Sequence, residues 1–233
     1  MKEILIIFII LIILIYVYVD NKKYKEGSYY KITKNSLFTV KNSLGKYGEY
    51  LIYKHLKDYE NDGAKFLFNI YIPKTDETTT EIDVLMISKK GLFVFESKNY
   101  SGWIFGKDNQ RFWYQTLPSG RGRSYKEKFY NPVFQNNTHI KYLKRNLGDG
   151  IPMYSIITFS ERCVFKSVII NNKNIKVIHR QQVNAVVTSI CNKIPNDVLT
   201  AAQIDKIYNT LYPHTQVNDN IKQKHIEDIQ NKY

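Results

Sequence analysis

Cysteine is scarce in this chain of 233 residues. The two that occur, Cys163 and Cys191, lie in separate segments outside any CxxC or CxxH pattern. A disulfide framework needs several cysteines at regular spacing, and a structural zinc site needs four Cys or His ligands. The sequence therefore excludes a disulfide-rich scaffold and a zinc-finger fold, and the low cysteine count favours the cytosol.

The sequence also lacks a glycine-rich phosphate loop and internal repeats, which excludes P-loop and solenoid architectures. Acidic residues are in deficit, because 21 Asp and Glu stand against 34 Lys and Arg, and the formal net charge is +13. This excess favours a polyanion or an anionic membrane surface as partner, although lysine can also serve only to solubilise a surface. Hydrophobic residues make up 43% of the chain, enough for one globular core.

A long apolar run lies at the N-terminus, where "ILIIFIILIILIYVYV" (Ile4 to Val19) contains no charged residue. Its length of about 16 residues approaches the ~17 that the shortest spanning helix needs. No small-residue cleavage site follows, so we predict an uncleaved transmembrane anchor over residues 1–21. Lys22, Lys23 and Lys25 follow the run, and the positive-inside rule then places the remainder of the chain in the cytoplasm, as a single-pass membrane protein.

Beyond the anchor, the pattern predicts a polar linker (22–42), one α/β domain (43–212) and a polar tail (213–233) whose helix, if formed, is solvated. Helical and β-type segments alternate along the domain, which predicts a mixed central sheet flanked by helices. The predicted helices are 43–60 (capped by Ser43), 131–147 (capped by Asn131, with Pro132 first), 181–192 and 197–211, and the predicted strands are 64–72, 81–88, 92–98, a hairpin over 103–117, 153–159, 164–170 and 175–179.

The strand "GLFVFESK" ends with two opposite charges on one face, because Glu96 and Lys98 are two residues apart. A simple interpretation is an ion pair where the strand reaches water. If an even-length turn joins this strand to "TEIDVLMIS", Asp83 lies directly opposite Glu96, and the two carboxylates repel unless a cation lies between them. A three-residue loop with Gly91 in a left-handed conformation would shift the register and weaken that argument.

The segments "GEYLIYKHL", "TEIDVLMIS", "GLFVFESKNYSGWIFG" and "NPVFQNNTHIKYL" resemble the nuclease-related domain (NERD) family, over roughly residues 43–147 and in the same order. That family belongs to the PD-(D/E)xK phosphodiesterase superfamily. The resemblance implies a restriction-endonuclease-like α/β core and Mg²⁺-dependent (or Mn²⁺-dependent) cleavage of nucleic acid, with DNA as the expected partner.

The resemblance also implies a set of site residues. The acidic residue of the first helix falls on Glu49, the strand aspartate on Asp83, and the Glu-x-Lys pair on Glu96 and Lys98, while the helical glutamine falls on Gln135. The metal ligands would be Asp83, Glu96 and the carbonyl group of Ser97. One departure from the family pattern is Val84, where an imidazole often follows the aspartate.

Several of these residues also have plainer interpretations. Gln135 lies in the first turn of its helix and could serve as a cap, and His139 is expected at the surface. Tyr100 and Trp103 could stack on bases, although such residues more often lie in a core or at its rim. The segment "SGRGRSYKEK" (119–128) is predicted to be a basic loop that clamps the nucleic-acid backbone through Arg121, Arg123, Lys126 and Lys128.

Two other functions fit the same composition. A nuclease-like fold can serve only to bind nucleic acid or protein at the membrane, in which case no metal ion is needed between Asp83 and Glu96. The third candidate is a scaffold that contacts anionic lipid through its lysines. Basic residues concentrated beside the anchor would favour this function, whereas here they are spread along the chain.

Overall fold

The computed structural model describes residues 1–120 and 123–232. It opens with α1 (Lys2–Glu26), a helix of 25 residues whose mean hydropathy reaches 2.7 over its most apolar window. No residue of that window is buried. At 1.5 Å per residue the helix is about 37 Å long, more than the ~30 Å hydrocarbon core of a bilayer. By length and composition, α1 can cross a membrane.

The segment predicted as a polar linker is helical and packs against the body. It contains α2 (Ser28–Thr33) and α3 (Leu37–Lys41). Tyr24 and Tyr29 are buried, and the Tyr29 ring lies edge-on to Phe68 at a centroid distance of 4.8 Å. Since aromatic pairs of this geometry stabilise a core, residues 22–42 form part of the folded body.

The principal sheet is mixed and has the strand order β1-β2-β3-β7-β9. The first three strands form an antiparallel meander, and β7 and β9 continue the sheet in parallel with β3. Such parallel additions require crossover connections, which here are residues 99–152 between β3 and β7 and residues 160–174 between β7 and β9. The strands are β1 (Lys65–Pro73), β2 (Thr79–Ser88), β3 (Gly91–Lys98), β7 (Met153–Phe159) and β9 (Ile175–His179).

Helices cover both faces of this sheet. One face packs against α4 (Leu44–Leu56), α6 (Val183–Asn192) and α7 (Ala201–Leu211), and the other packs against α5 (Pro132–Leu147). Asn131 caps α5 as predicted, because its side chain accepts a hydrogen bond from the backbone N–H of Val133. The predicted cap at Ser43 is wrong, since its side chain makes no capping bond in α4. The predicted mixed α/β fold flanked by helices is confirmed.

The β2–β3 hairpin has the even-length turn on which the register argument depends. Val84 pairs with Phe95 and Ser88 with Gly91, so only Lys89 and Lys90 form the turn. Gly91 has a φ of +118°, and a Cβ at this position would lie 2.5 Å from the carbonyl oxygen of Pro152. Glycine is therefore required here both by the backbone angle and by the close approach of the chain.

A second sheet, which the sequence did not indicate as a separate layer, has the order β6-β5-β4-β8. Its strands are β4 (Gly102–Lys107), β5 (Phe112–Pro118), β6 (Ser124–Tyr130) and β8 (Cys163–Ile169). The buried Trp113 and Phe159 stack at 6.1 Å in the core between the sheets. The prediction of a basic loop over 119–128 is wrong from Ser124 onward, because that part pairs with β5 as a strand.

The C-terminal segment ends in α8 (Asp219–Lys232). This helix is polar, as expected, but it is not fully solvated. The side chain of His225 is buried, and its Nδ1 lies 2.9 Å from the hydroxyl of Thr79 on β2. α8 thus contacts the principal sheet at the start of β2.

We predict that deletion of residues 1–20 leaves a soluble, folded and basic protein. Residues 1–19 bury nothing against the body, and the deletion removes only the partly exposed ion pair of Asp20 with Lys41, worth about 0–1 kcal/mol. Circular dichroism and thermal melting of the shortened chain test this expectation. Deletion of residues 1–30 is the control, and it should unfold the body because it removes Tyr24 and Tyr29. Persistent sedimentation of the 1–20 deletion with membranes in high salt would contradict it.

Candidate active site

The charged end of β3 forms a buried cluster with α5. Lys98 Nζ lies 2.7 Å from Glu96 Oε1 and donates a hydrogen bond to Gln135 Oε1 at 3.0 Å. The second carboxylate oxygen of Glu96 lies 2.9 Å from Nε2 of His139. Glu96 is only 1% exposed, so the simple interpretation of an ion pair emerging into water is wrong. Both charges are held inside the protein by partners on two elements.

α5 supplies two of these partners because Gln135 and His139 are four residues apart and share one helix face. The helix is fixed to the sheet by Asn136, whose amide donates to the carbonyl oxygen of Val94 and to Ser155 Oγ. Gln135 therefore binds Lys98 and does not act as a cap. The expectation that His139 lies at the surface is wrong, since it is 2% exposed.

His139 is held between two partners. Nδ1 lies 2.7 Å from the Thr80 hydroxyl, and Nε2 faces the Glu96 carboxylate, which only accepts hydrogen bonds when ionised. Nε2 therefore carries a hydrogen and donates it to Glu96. Burial would raise the pKa of Glu96, but the charge of Lys98 and the hydrogen bond from His139 outweigh it, and that pKa is held below its usual value.

Asp83 lies across the hairpin from this cluster. The β2–β3 register continues towards a pairing of Asp83 with Glu96, and Asp83 Oδ2 accepts a hydrogen bond of 2.7 Å from the backbone N–H of Ser97. Burial, together with the negative charges of Glu96 and Glu49, raises the pKa of Asp83 well above its usual value, and Lys98 offsets this only in part. The expected repulsion between carboxylates is therefore present, and it raises the pKa of Asp83.

Glu49 enters the same region from α4. It is 8% exposed, and its Oε2 accepts hydrogen bonds from Asn69 Nδ2 at 3.0 Å and from the Tyr29 hydroxyl at 3.2 Å. Burial raises the pKa of Glu49 to about 7, although both hydrogen bonds act in the opposite direction. The pKa of Glu49 is therefore shifted towards neutral pH, where small changes around the carboxyl group alter its ionisation.

A pocket of about 390 Å³ opens beside the cluster and exposes Lys98, Gln135 and His139 to its interior. Its walls come from the loop before β2, from the ends of β3 and β6, and from α8. Besides the three residues already named, the pocket is lined by Lys74, Asp76, Thr78, Thr79, Thr80, Glu81, Tyr100, Phe129, Tyr130, Thr138, His225, Asp228 and Ile229.

The sequence of the chain is similar to those of known proteins. The family model for the nuclease-related domain (NERD) matches residues 44–160. The chain belongs to the NERD family. An uncharacterised protein of Bacillus anthracis is 30% identical over 190 residues, which cover 81% of this chain and 85% of that protein. No solved structure matches the chain.

Five of the residues implied by resemblance fall inside the matched part of the NERD domain. Lys98 is in contact with Glu96 and with Gln135, Asp83 lies across the hairpin, and the negative charge of Glu49 contributes to the raised pKa of Asp83. Sequence reasoning missed Glu81, which lies two residues before Asp83 and accepts a hydrogen bond from the Tyr71 hydroxyl at 2.7 Å. The period-two pattern of β2 could have revealed it, because Glu81 and Asp83 share one face.

The donor chemistry of the NERD domain fits a hard divalent cation. Carboxylates and a backbone carbonyl are the ligands that Mg²⁺ and Mn²⁺ prefer, and a divalent ion would relieve the repulsion that raises the pKa of Asp83. Within residues 1–120 and 123–232, no group of three or more His, Cys, Asp and Glu side chains converges on a single point. The fit therefore rests on two carboxylates, Asp83 and Glu96, completed by the Ser97 carbonyl and water.

Two further residues that sequence reasoning missed position Glu49. Tyr29 comes from the segment before the matched NERD region. Asn69 lies opposite Asp83 in the β1–β2 ladder, which is interrupted between the Phe68–Val84 and Ile70–Ile82 pairs. Its φ of +49° is left-handed, which is uncommon for a residue other than glycine and is tolerated best by Asn and Asp. This backbone angle turns the Asn69 amide towards Glu49.

We predict that Asn69→Gly shifts the acid limb of the pH–activity profile to higher pH. Glycine accepts the left-handed angle, so the fold is kept, whereas loss of the amide removes a hydrogen bond that lowers the pKa of Glu49. Glu49 then ionises only at higher pH. NMR titration measures the pKa of Glu49 directly and needs no activity assay. Glu49→Gln is the control for the resonance assignment. An unchanged pKa in Asn69→Gly would contradict the positioning role.

Two of the basic residues predicted to clamp nucleic acid, Lys126 and Lys128, lie on β6, the strand whose last residues line the pocket. Arg121 lies outside the described residues. Arg123 is exposed, and Lys126 and Lys128 project from one face of β6, where their ammonium groups lie 4.1 Å from the Tyr114 ring and 4.9 Å from the Phe112 ring. Alternating lysines and aromatic rings are typical of surfaces that bind single-stranded nucleic acid. Tyr100 lines the pocket, while Trp103 is 49% exposed beneath Lys166.

Proposed function

We propose that this protein is a membrane-anchored, divalent-metal-dependent nuclease that hydrolyses phosphodiester bonds, with DNA as its main substrate. The observation that carries the proposal is the cluster of Glu96, Lys98 and Gln135 at the pocket, with Asp83 across the hairpin. Family membership supplies the reaction class, since the domain is nuclease-related. The net charge of +13 and the lysine-rich face of β6 agree with a polyanionic substrate.

Mg²⁺ or Mn²⁺ would be held by Asp83, Glu96 and the carbonyl group of Ser97. When bound, such an ion lowers the pKa of a water molecule and polarises a phosphoryl oxygen. For Glu96 to serve as a ligand, one of its oxygens must exchange its bond with Lys98 or His139. If the bond to Lys98 is exchanged, His139 keeps the other oxygen in place, because Thr80 holds the ring from the opposite side.

Lys98 acts as a fixed positive charge and not as a general base. Burial would lower its pKa, but the charge of Glu96 raises it above the usual value, so the ammonium group is retained at neutral pH. Placed at the pocket, this group can donate a hydrogen bond to a phosphoryl oxygen as negative charge develops on it. Gln135 holds the ammonium group in position and is a positioning residue.

α8 lies across one side of the pocket and brings Asp228 to it. Asp76, Glu81 and Asp228 place three carboxylates there against one lysine, Lys74, so a phosphate backbone should enter from the part lined by Tyr100 and Phe129. Phe129 lies on β6, the strand that also carries Lys126 and Lys128. The substrate path that we propose therefore runs along β6 to Lys98.

Cleavage assays on the full chain in detergent, with and without Mg²⁺, test the function directly. Single- and double-stranded DNA and RNA of the same sequence are the substrates, and the Glu96→Gln variant is the control for contaminating nucleases. We expect Mg²⁺-dependent cleavage that the variant lacks. Absence of cleavage of every substrate, in both Mg²⁺ and Mn²⁺, would overturn the proposal.

A module that binds nucleic acid without cleaving it is the second candidate. One observation favours it: each oxygen of Glu96 already has a partner, and three-ligand clusters are absent from the described part of the chain. Calorimetry with Mg²⁺ separates the two candidates, because the binding module has no need for an ion between Asp83 and Glu96.

We predict that nucleic-acid binding is non-specific and strongly salt-dependent. Charge reversal to Glu at Arg121, Arg123, Lys126 and Lys128 should lower affinity equally for different sequences and flatten the salt slope by about one unit per lost contact. Fluorescence anisotropy across a salt series measures both. The matched control reverses four exposed lysines elsewhere, Lys57, Lys173, Lys193 and Lys206. Equal losses in both variants would show that only net charge matters.

We also propose that α1 is the membrane anchor and that the body faces the cytoplasm. The support is the length and hydropathy of α1, the complete exposure of its apolar residues, and the three lysines after them. Protease protection of the C-terminus in sealed vesicles tests the orientation. Digestion of the body from the outside of intact cells would overturn it.

A further inference from the structure

The apolar helix and the body are joined without a flexible tether. α1 runs unbroken from Lys2 to Glu26, and its last turn belongs to the body. Tyr24 is 4% exposed, its hydroxyl donates to the carbonyl oxygen of Asn35 at 2.7 Å, and its ring lies edge-on to Tyr50 at 5.2 Å. A continuous helix locked at its end fixes the direction of the body relative to the helix axis.

α3 lies beside α1 at the level where the apolar run ends. Lys41, the last residue of α3, places its Nζ 2.9 Å from Asp20 Oδ2, and Asp20 follows directly after Val19. Each residue advances a helix by about 1.5 Å along its axis, so Asp20 lies about 1.5 Å beyond Val19, the end of the apolar run. If the run spans a bilayer, α3 lies at the depth of the lipid headgroups.

α3 presents an aromatic side chain to solvent at this depth. Phe38 precedes Lys41 by three residues, so the two are neighbours on the helix surface. Phe38 is 79% exposed, whereas Val40 of the same helix is buried. Among the described residues that follow α1, no other large hydrophobic side chain is as exposed. Six exposed lysines lie in the same N-terminal segment, namely Lys22, Lys23, Lys25, Lys31, Lys34 and Lys41.

We propose that α3 docks on an anionic phospholipid surface, with Phe38 inserted among the headgroups and the neighbouring lysines facing them. The proposal rests on the proposed anchor and adds a second contact to it. Aromatic residues and lysines are the side chains that favour a membrane interface, the first through an apolar ring and the second through anionic lipid. The body is thereby held on one side of α1, in one orientation to the bilayer.

Quenching of tryptophan emission by brominated lipid tests the contact. The full chain is reconstituted into vesicles of phosphatidylcholine and phosphatidylglycerol, with the phosphatidylcholine brominated on its upper acyl chain. The emission of Phe38→Trp is compared with that of the parent chain, because both chains contain Trp103 and Trp113 and differ only in the added tryptophan. Tyr18→Trp, inside the apolar run, reports insertion of α1, and Tyr125→Trp, 58% exposed on β6, is the matched surface control.

We expect the added emission of Phe38→Trp and Tyr18→Trp to fall about twofold or more, as for a ring at the headgroup–acyl boundary, and that of Tyr125→Trp to remain unchanged. Quenching of Tyr18→Trp without quenching of Phe38→Trp overturns the docking proposal and leaves the anchor intact. If neither is quenched, the anchor proposal fails as well. Phe38 is exposed, so the substitution is not expected to disturb folding.

Discussion

Lys98→Ala should lower the rate of phosphodiester cleavage by about two orders of magnitude or more, the loss typical of one preorganised charge in a site shielded from water. The residue provides the ammonium group that Glu96 and Gln135 hold at the pocket. The measurement is single-turnover cleavage at saturating enzyme, which separates the chemical step from binding. Lys90→Ala is the matched control, because Lys90 also forms an ion pair, with Asp197 at 3.2 Å, but lies at the hairpin turn.

The same variant should lose stability in a pH-dependent manner. Removal of Lys98 leaves the buried Glu96 charge with only His139, and the loss of one partner from a buried pair costs about 3 kcal/mol. Because the folded-state pKa of Glu96 is lowered, this contribution exists above the unfolded pKa of about 4.3 and disappears as the pH falls through the folded value. A folded Lys98→Ala protein that still cleaves at the parental rate would contradict the catalytic role.

Asp83→Asn should abolish metal-dependent cleavage and yet raise thermal stability in metal-free buffer. Burial and the charges of Glu96 and Glu49 raise the pKa of Asp83, so its ionised form destabilises the fold. The amide removes that charge and can still accept the hydrogen bond from the Ser97 N–H. We expect a gain on the order of 1 kcal/mol, or about 3 °C in Tm, at pH 8.

The direction of the Asp83 pKa shift determines how the gain in Tm of Asp83→Asn depends on pH. Since the folded-state pKa of Asp83 is raised, the penalty is absent below the unfolded pKa of about 3.9 and is complete above the folded value. The gain in Tm should therefore vanish near pH 4. Mg²⁺ should stabilise the parent protein, because it binds only the folded state, and should stabilise Asp83→Asn much less.

Asp108→Asn is the matched control for the stability measurement. Slight burial opposes the shift, but N–H donors of Asn171 hold the pKa of Asp108 below its usual value, so its ionised form is stabilising. The same substitution there should lower Tm at pH 8. If Asp83→Asn lowers Tm in the same way, Asp83 is a structural charge and the metal-site proposal fails.

Local patterns predicted the elements that carry the site. Asn131 and Pro132 marked the start of α5, and an even-length turn gave the register that brings Asp83 towards Glu96. Both signals depend on residues close together in sequence, where backbone rules act directly. The period of a strand placed Glu96 and Lys98 on one face, and the resemblance to the NERD family assigned them to the site.

Long-range contacts could not be predicted in this way. Tyr29 reaches Glu49 from a segment with no regular hydrophobic period, and its packing on Phe68 is visible only after folding. The second sheet depends on parallel pairing of β4 with β8, about sixty residues apart in the chain. His139 shows a third limit, since helix spacing placed it beside Gln135 but gave no measure of its depth.

Because the Tyr29 hydroxyl donates a hydrogen bond to Glu49, a shortened chain that keeps the complete site must include Tyr29. A fragment cut at the family boundaries, residues 44–160, would contain every residue named by resemblance but neither Tyr29 nor β9, which pairs with β7 beside the site. In such a fragment Glu49 would keep one of its two donors, and β7, which lies inside the sheet in the full chain, would become an edge strand. The functional unit is therefore longer than the recognisable motif and begins upstream of residue 29.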